Sequence, residues 1–244
     1  MKPPRLLAAL LLAAVVGPAL THPPALGQPQ TAAPEATATV DAGWAQLQRI
    51  ATARPETVTY RARFEQKKFS PLLRDPIASR GLVQMAGGVA RWDTEPPHAT
   101  TVVMDGQTLS MYYPDQQTLE VYALGTQPGG AGLAAIATSP VPDLDVLREH
   151  FDLEAWRFTN DNRQLALTLV PRSDAVRDAI EDVQVDVDTA TGHLHRFVLT
   201  DLDGEATELT FLDPEPDAQI DPASLEFDVP PGTTVVRPLD DAAP

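Results

Sequence analysis

The stretch TVTYRARFEQK, residues 57–67, alternates polar and apolar side chains with a period of two. The positions that share one side are Val58, Tyr60, Ala62, Phe64 and Gln66. Because successive side chains of a strand point to opposite faces of a sheet, this stretch predicts a long strand with one dry face. We therefore expect a sheet with an apolar side.

Further strands are predicted at short intervals along the chain. Five come before the middle of the sequence, at residues 77–85, 89–93, 99–104, 108–113 and 119–122. Five more follow, at residues 155–159, 165–171, 182–188, 194–202 and 207–212. Pairs such as Gly87-Gly88, Pro96-Pro97 and Asp105-Gly106 separate them, and each of these pairs favours a turn.

Helices are predicted in two places. Residues 41–53 space Trp44, Leu47 and Ile50 as one helical face, with Asp41 as the predicted N-cap. Residues 125–151 begin with glycines and then predict short helices near 133–138 and 144–151. The fold class that follows is mainly β: a single antiparallel sheet curved into a barrel or an incomplete barrel, capped by the N-terminal helix and a mid-chain helical lid.

The chain ends predict export. Lys2 and Arg5 precede an apolar run at residues 6–16 that is too short for a stable anchor, so residues 1–27 are predicted to be a signal peptide; an uncut anchor is the alternative. We expect a flexible Pro/Ala/Thr-rich leader at 28–40, a folded domain at 41–238 and a disordered tail at 239–244. The chain has no cysteine for a disulfide or a lipid anchor, so we expect a periplasmic monomer free in solution.

The charge is strongly negative and unevenly spread. Its formal value is −16, and loss of the two signal-peptide cations would make it −18, which argues against nucleic acid as a partner. Residues 201–228 carry ten acidic and no basic residues, whereas residues 61–80 carry six basic and two acidic residues. The basic stretch is interpreted either as a solvated strand face or as a docking surface for an acidic partner or lipid headgroups.

A curved sheet has an interior, and its side chains decide what the interior holds. Residues 104–122, MDGQTLSMYYPDQQTLEVY, are rich in methionine and aromatic side chains, which adapt to greasy ligands. An ordinary packed core is the alternative at each position. The predicted lipid-binding residues are Tyr60, Phe64, Met85, Trp92, Met104, Met111, Tyr113 and Val121 in the strands, with Leu133 and Ile136 in the lid.

Four segments, in order, resemble the LolA family of periplasmic lipoprotein carriers. They are ARFEQKKFS at 62–70, SRGLVQMAGGVARWDTEPP at 79–97, MDGQTLSMYYP at 104–114 and LEFDVPPGTTV at 225–235. The resemblance implies an incomplete barrel whose dry interior receives the acyl chains of a lipoprotein. It further implies an inner-membrane ABC transporter as donor and an outer-membrane receptor as acceptor, with no cofactor and no reaction.

The resemblance has one local departure. Family members commonly carry an Arg-Pro pair in the second or third strand, where the arginine helps to hold the lid shut, and this chain has Ala86-Gly87-Gly88 at that place. Arg80 and Arg91 are the arginines that could substitute. The departure leaves the gating and the cargo open, and a glycolipid or another lipid is an alternative to a lipoprotein.

Enzyme chemistry finds little support in the sequence. His193 and His195 form an H-x-H pair that could supply half of a metal site, but no third histidine lies near them in the sequence, and the alternative is a polar outer face. The chain contains neither a G-x-S-x-G motif nor a phosphate-binding glycine loop followed by Lys-Ser or Lys-Thr. We expect a carrier; a lipid-sensing regulatory protein of the same fold and a secreted hydrolase are the other hypotheses.

Overall fold

The computed structural model describes residues 39–53, 59–105, 107–124, 139–141, 143–178 and 180–238. These residues form one twelve-stranded sheet with three α-helices. The helices are α1 (Val40–Thr52), α2 (Leu144–His150) and α3 (Asp174–Arg177). The first six strands are β1 (Thr59–Phe69), β2 (Ile77–Ala86), β3 (Val89–Thr94), β4 (Thr100–Met104), β5 (Thr108–Tyr113) and β6 (Thr118–Ala123). The other six are β7 (Phe151–Thr159), β8 (Gln164–Pro171), β9 (Ile180–Asp188), β10 (Leu194–Asp201), β11 (Ala206–Pro216) and β12 (Thr234–Val236).

The sheet consists of two meanders joined at its centre. The strand order is β12-β6-β5-β4-β3-β2-β1-β11-β10-β9-β8-β7, so the long strand β1 pairs with β2 on one side and with β11 on the other. All neighbours are antiparallel except β12, which runs parallel to β6. The two outer strands do not pair with each other, so the sheet is curved but unclosed, which confirms the predicted incomplete barrel.

Residues in the left-handed region shape the turns. Gly87 and Gly88 connect β2 to β3 with φ values of 59° and 79°, the pattern of a two-residue hairpin turn, which favours glycine, asparagine and aspartate. Asp213 has φ 49° in β11, beside the point where the pairing with β1 shifts between Arg61 and Arg63. The predicted turn at Gly87-Gly88 is therefore confirmed. The register shift between β1 and β11 is a β-bulge, and such a bulge increases the local twist of the two strands.

Helix α1 packs on the β7 end of the sheet. Gly43 lies directly against Trp156 and Leu153, and Trp156 Nε1 donates a hydrogen bond to the Thr39 carbonyl oxygen at 3.1 Å. The N-cap is Thr39, so the prediction of Asp41 as N-cap is wrong. Asp41 instead lies in the first turn, where a negative charge favours the positive end of the helix dipole.

The boundary between α2 and β7 also differs from the sequence prediction. Asp143 caps α2 by accepting hydrogen bonds from the Asp145 and Val146 amides, but the helix ends at His150. Phe151 is already extended, and β7 starts there rather than at Ala155. Short helix α3 was not predicted. The predicted helix at 133–138, the signal peptide, residues 28–38 of the leader and the tail lie outside the described residues. The predicted end of the leader at residue 40 is wrong, because Val40 already belongs to α1.

The C-terminal segment, residues 222–236, lies against one face of strands β3 and β5, and we call this the outer face of the sheet. Arg91 Nη1 donates to the carbonyl oxygens of Ser224 and Glu226 at 3.0 and 2.9 Å. The ring of Phe227 lies 4.8 Å from that of Tyr112, measured between centroids. The outer face of this part of the sheet is therefore in contact with residues near the C-terminus. Across the described ranges, no helix has both the length and the apolar character needed to cross a bilayer.

Candidate functional site

Strand register decides which predicted site residues share a face. From β2 to β6, the pairs Met85↔Ala90, Ala90↔Met104, Met104↔Leu109 and Leu109↔Tyr122 form one row across the sheet. A second row runs from Ala62 through Val83, Trp92, Val102 and Met111 to Glu120. We call the face that carries both rows the inner face. It holds seven of the predicted residues, namely Tyr60, Phe64, Met85, Trp92, Met104, Met111 and Tyr113.

Val121 is not on the inner face, so its predicted inward position is wrong. It pairs with Ser110, and its neighbour Leu119 pairs with Tyr112, which contacts the C-terminal segment. Because the C-terminal segment covers part of the outer face, apolar residues such as Leu119 and Val121 can lie on that side of β6. Leu133 and Ile136 lie outside the described residues.

The inner face carries two clusters of buried apolar side chains. The larger, which we call the main core, joins α1 and α2 to β1–β3 and β7–β11 and includes Tyr60, Phe64 and Met85. The smaller, which we call the β4–β6 cluster, consists of Val102, Met104, Leu109, Met111, Tyr122 and Leu124. Helices fill the inner face at the main core, whereas the β4–β6 cluster contains no residue of the described helices.

Trp92 connects the two clusters. It is partly buried and packs against both. Its ring meets Phe64 edge-on with centroids 5.3 Å apart, and it lies 5.7 Å from the ring of Phe211. Aromatic pairs at these separations stabilise one another beyond simple area burial. Trp92 therefore packs against the rings of Phe64 and Phe211 on one side and against the β4–β6 cluster on the other.

Three polar side chains lie at the β6 end of the inner face. Tyr122 Oη donates a hydrogen bond to Glu120 Oε2 at 2.8 Å, and Tyr122 is buried. Burial raises the pKa of Tyr113 to about 12, and the negative charge of nearby Glu120 acts in the same direction. Glu120 and Tyr122 were missed at the sequence level, because the more apolar Leu119 and Val121 alternate with them.

Neither candidate gating arginine reaches the inner face. Arg80 pairs with Glu65 in the ladder and forms an exposed ion pair with Glu95 at 2.7 Å. Arg91 pairs with Gln84, so it lies on the outer face with the C-terminal segment. The hypothesis that one of them replaces the family's arginine is wrong for this structure, because adjacent Trp92 and Gly81 take the inward positions.

The basic stretch lies beside the acidic one. Arg63 forms an ion pair with Asp213, Arg61 lies 3.3 Å from Glu215, and Lys68 lies 3.6 Å from Glu205. Because β1 and β11 are neighbours, the charges that are far apart in sequence meet across the ladder. This favours the interpretation of residues 61–68 as a solvated strand face, and exposed pairs of this kind contribute about 0–1 kcal/mol each.

The histidine pair does not form part of a metal centre in the described residues. His193 is buried next to Tyr60, with ring centroids 5.5 Å apart, and it precedes β10. His195 is partly buried in β10. In the described ranges, no three His, Asp or Glu side chains come close enough together to hold a metal ion.

The molecule is thus a mainly β protein of the open curved-sheet class, with helices over one part of the inner face and a separate apolar cluster on the other. Within that class, the sequence profile of the outer membrane lipoprotein carrier protein LolA matches residues 56–228. The chain belongs to this family.

Individual relatives are distant. The chain is 26% identical over 150 residues to an outer-membrane lipoprotein carrier protein of Chromohalobacter salexigens, and the alignment covers 62% of this chain and 66% of the relative. It is 24% identical over 180 residues to the protein of the same name from Pseudomonas paraeruginosa, with 70% and 79% covered. A crystal structure of an uncharacterized conserved protein from Thermus thermophilus matches with a TM-score of 0.46 and 14% identity, covering 81% of this chain and 98% of that one.

Proposed function

We propose that this protein is a periplasmic carrier that shields the acyl chains of lipoproteins, or of related lipids, between the inner and outer membranes. Membership of the LolA family supports this role. The observation that carries it is the β4–β6 cluster, a group of buried apolar side chains with two methionines that is separate from the main core. Hydrocarbon would lie against Met104 and Met111 and meet Trp92 at the inner end.

The energetics explain why such a carrier is needed and why it does not need a reaction. Each acyl methylene moved from water to an apolar site gains about 0.8 kcal/mol. A long chain therefore leaves a membrane for water only at a large cost, and an apolar host removes most of that cost. Transfer to the next protein then requires an acceptor site that binds the chain still better.

The proposed partners are an inner-membrane transporter that loads the protein and an outer-membrane receptor that unloads it. A surface suited to such contacts lies at one rim of the sheet, and we call it the rim patch. It consists of Phe69, Leu72 and Leu73 beside the β1–β2 loop and Leu202 at the β10–β11 turn, all exposed. Ser70 Oγ donates to Glu205 Oε1 at 3.0 Å, which ties the loop to the turn.

Cargo can be identified directly from protein purified out of cells. The wild type is expected to carry acyl chains that mass spectrometry detects after solvent extraction. Trp92→Ala should lower the amount several-fold, because it removes the side chain between the two clusters. Trp156→Ala is the matched control: it is another partly buried tryptophan on the main core, but it is not part of the β4–β6 cluster.

Two results would contradict the proposal. One is wild-type protein free of lipid under every expression condition and unable to take up an added acylated peptide. The other is equal loss of cargo in the Trp92→Ala and Trp156→Ala variants, because that would assign the effect to general destabilisation.

A further inference from the structure

The second row of the inner face ends in a carboxylate. The row runs through the apolar side chains of Val83, Trp92, Val102 and Met111 and then reaches Glu120, which pairs with Met111. The two neighbours of Glu120 along β6 on this face, Thr118 and Tyr122, both carry a hydroxyl. An ionised group is thus placed at the border of the β4–β6 cluster.

One tyrosine holds this carboxylate. The Tyr122 hydroxyl donates to Glu120 Oε2 at 2.8 Å from a residue that is only 4% exposed. The Tyr113 hydroxyl donates to Met111 Sδ at 4.0 Å, and Met111 is the ladder partner of Glu120. Tyrosine keeps its proton at neutral pH, so the Tyr122 hydroxyl donates and the carboxylate accepts. The hydrogen bond from Tyr122 therefore fixes the carboxylate beside Met111.

The carboxylate retains capacity to accept further hydrogen bonds. An ionised carboxylate offers about four acceptor sites, and the Tyr122 hydroxyl uses one. Among the ion pairs within the described ranges, none joins Glu120 to a lysine, arginine or histidine. A partly buried carboxylate without a cation is costly unless donors satisfy it, so a bound molecule that supplies a donor would stabilise this arrangement.

We propose that Glu120, held by Tyr122, recognises the head of the cargo and selects heads with an N–H donor or an ammonium group over heads with a carboxylate or phosphate. The inference rests on the proposed carrier function and specifies its cargo class. The amide that joins an acyl chain to a peptide has the required donor next to the hydrocarbon, whereas a free fatty acid or an anionic phospholipid brings a like charge to Glu120.

The alternative is that Glu120 only satisfies the Tyr122 hydroxyl. Glu120→Gln separates the two roles, because glutamine keeps an oxygen that accepts from Tyr122 but has no charge. A structural role predicts that the order of ligand preference stays the same in this variant. A recognition role predicts that the preference for a cationic head over an anionic one decreases.

The experiment measures displacement of the apolar fluorophore N-phenylnaphthylamine from the full chain by four compounds of equal chain length, below their micelle-forming concentrations. They are dodecylamine, N-methyldodecanamide, dodecanoate and dodecanol. For the wild type, dodecylamine and the amide should displace the fluorophore at roughly tenfold lower concentration than dodecanoate, the size of one charge-assisted hydrogen bond. Glu120→Gln should remove most of the difference between the amine and dodecanoate while leaving dodecanol unchanged.

Asp115→Asn is the control for net charge. It removes the same charge from an exposed position in the turn between β5 and β6, five residues before Glu120. Long-range attraction by the acidic chain would change equally in both variants, so a Glu120→Gln effect no larger than that of Asp115→Asn overturns the inference. Tyr122→Phe is the second variant if Glu120→Gln does not fold: it should reduce the same preference about threefold by loss of the hydrogen bond that orients the carboxylate, and an unchanged preference overturns the inference.

Failure of the carrier function has a different signature. If dodecanol and the fluorophore do not bind the wild type at all, the acyl site is absent and both proposals fall. If they bind and the head-group order is the same in wild type and Glu120→Gln, the carrier function stands and only the role of Glu120 is wrong.

Discussion

The ring of Phe64 lies over Gly81, its partner on the neighbouring strand, at the place where a side chain of residue 81 would be. A Cβ on Gly81 would lie 2.8 Å from two ring atoms of Phe64, and it would also meet the backbone carbonyl oxygen of Asp93. The ring can rotate away, but the carbonyl belongs to the β2–β3 ladder. The glycine therefore allows Phe64 to reach Trp92.

Gly81→Ala is expected to destabilise the protein by about 1–3 kcal/mol, because the added methyl overpacks the sheet. Urea unfolding followed by circular dichroism measures the loss. Gly87→Asn is the matched control, since no heavy atom lies within 4 Å of a Cβ there and asparagine tolerates its φ of 59°. Equal stability of Gly81→Ala and the wild type would show that the Asp93 carbonyl moves freely.

Arg91→Met is expected to release the C-terminal segment from the outer face. Arg91 donates to the carbonyl oxygens of Ser224 and Glu226 and also pairs with Asp93 at 2.8 Å. Loss of these bonds should cost about 1–3 kcal/mol of local stability and increase hydrogen exchange in residues 222–236. Arg80→Met, which removes a more exposed ion pair, should leave that exchange unchanged; equal exchange in both variants contradicts the prediction.

Two aspartates should give opposite dependences of stability on pH. Burial raises the pKa of Asp186, and the charge and hydrogen bond of Arg196 oppose this only in part. The folded protein then binds the proton more tightly than the unfolded chain, so this contribution to stability is present below the unfolded pKa of about 3.9 and is lost as pH rises through the folded pKa. Asp186→Asn should therefore gain stability relative to the wild type as pH rises above about 4.

Asp105 has the opposite sign. Burial would raise its pKa, but hydrogen bonds from the Thr108 and Gln107 amides and the Thr108 hydroxyl lower it. Its contribution is present above the unfolded pKa and is lost as pH falls through the folded pKa. Asp105→Asn should therefore lose stability relative to the wild type as pH rises towards about 4, and the difference should stay constant above that pH. Thermal unfolding from pH 3 to pH 7 tests both variants, and slopes of the same sign would contradict the assignment.

Substitution of the rim patch should separate transfer from stability. Leu72 and Leu73 are 88% and 48% exposed, so Leu72→Ser with Leu73→Ser should change the free energy of unfolding by less than about 0.5 kcal/mol. Transfer of a fluorescent acylated peptide from the loaded variant to outer-membrane vesicles should slow several-fold. Val235→Ser, at another exposed apolar site, is the control. Unchanged transfer would show that partners dock elsewhere.

The central strands could be predicted from sequence because only one of their faces is dry. In β1, Tyr60, Ala62 and Phe64 alternate with arginines, and the structure buries those three residues. In β6, the same rule chose the wrong face. Leu119 and Val121 are the apolar residues of that strand, but the C-terminal segment covers their side, and Tyr122 faces inward. Alternation cannot identify the inner face where a distant segment makes the outer face partly dry as well.

The junction between α2 and β7 shows a second limit. Leu144 and Leu147 have helical spacing, and Phe151 continues it, but Phe151 and Leu153 also have the spacing of a strand. Pairing of Phe151 with Pro171 decides between the two, and that contact is 20 residues away in sequence. The ion pairs between β1 and β11 could not be predicted from sequence either. They depend on β11 being the strand of the second meander that pairs with β1.

The parallel pairing of β12 with β6 gives the two ends of the sheet unequal exposure to other chains. The three residues of β12 pair with the edge of β6 that faces away from β5, so β12 forms one border of the sheet and β7 forms the other. Border strands with unpaired backbone groups invite cross-chain pairing and aggregation unless charges or irregularities discourage it. β7 has a register shift between Leu153 and Ala155 and carries the charged residues Asp152 and Glu154. Pairing with further copies of the chain is therefore discouraged by charge and irregularity at the β7 border, and by the shortness of the strand at the β12 border.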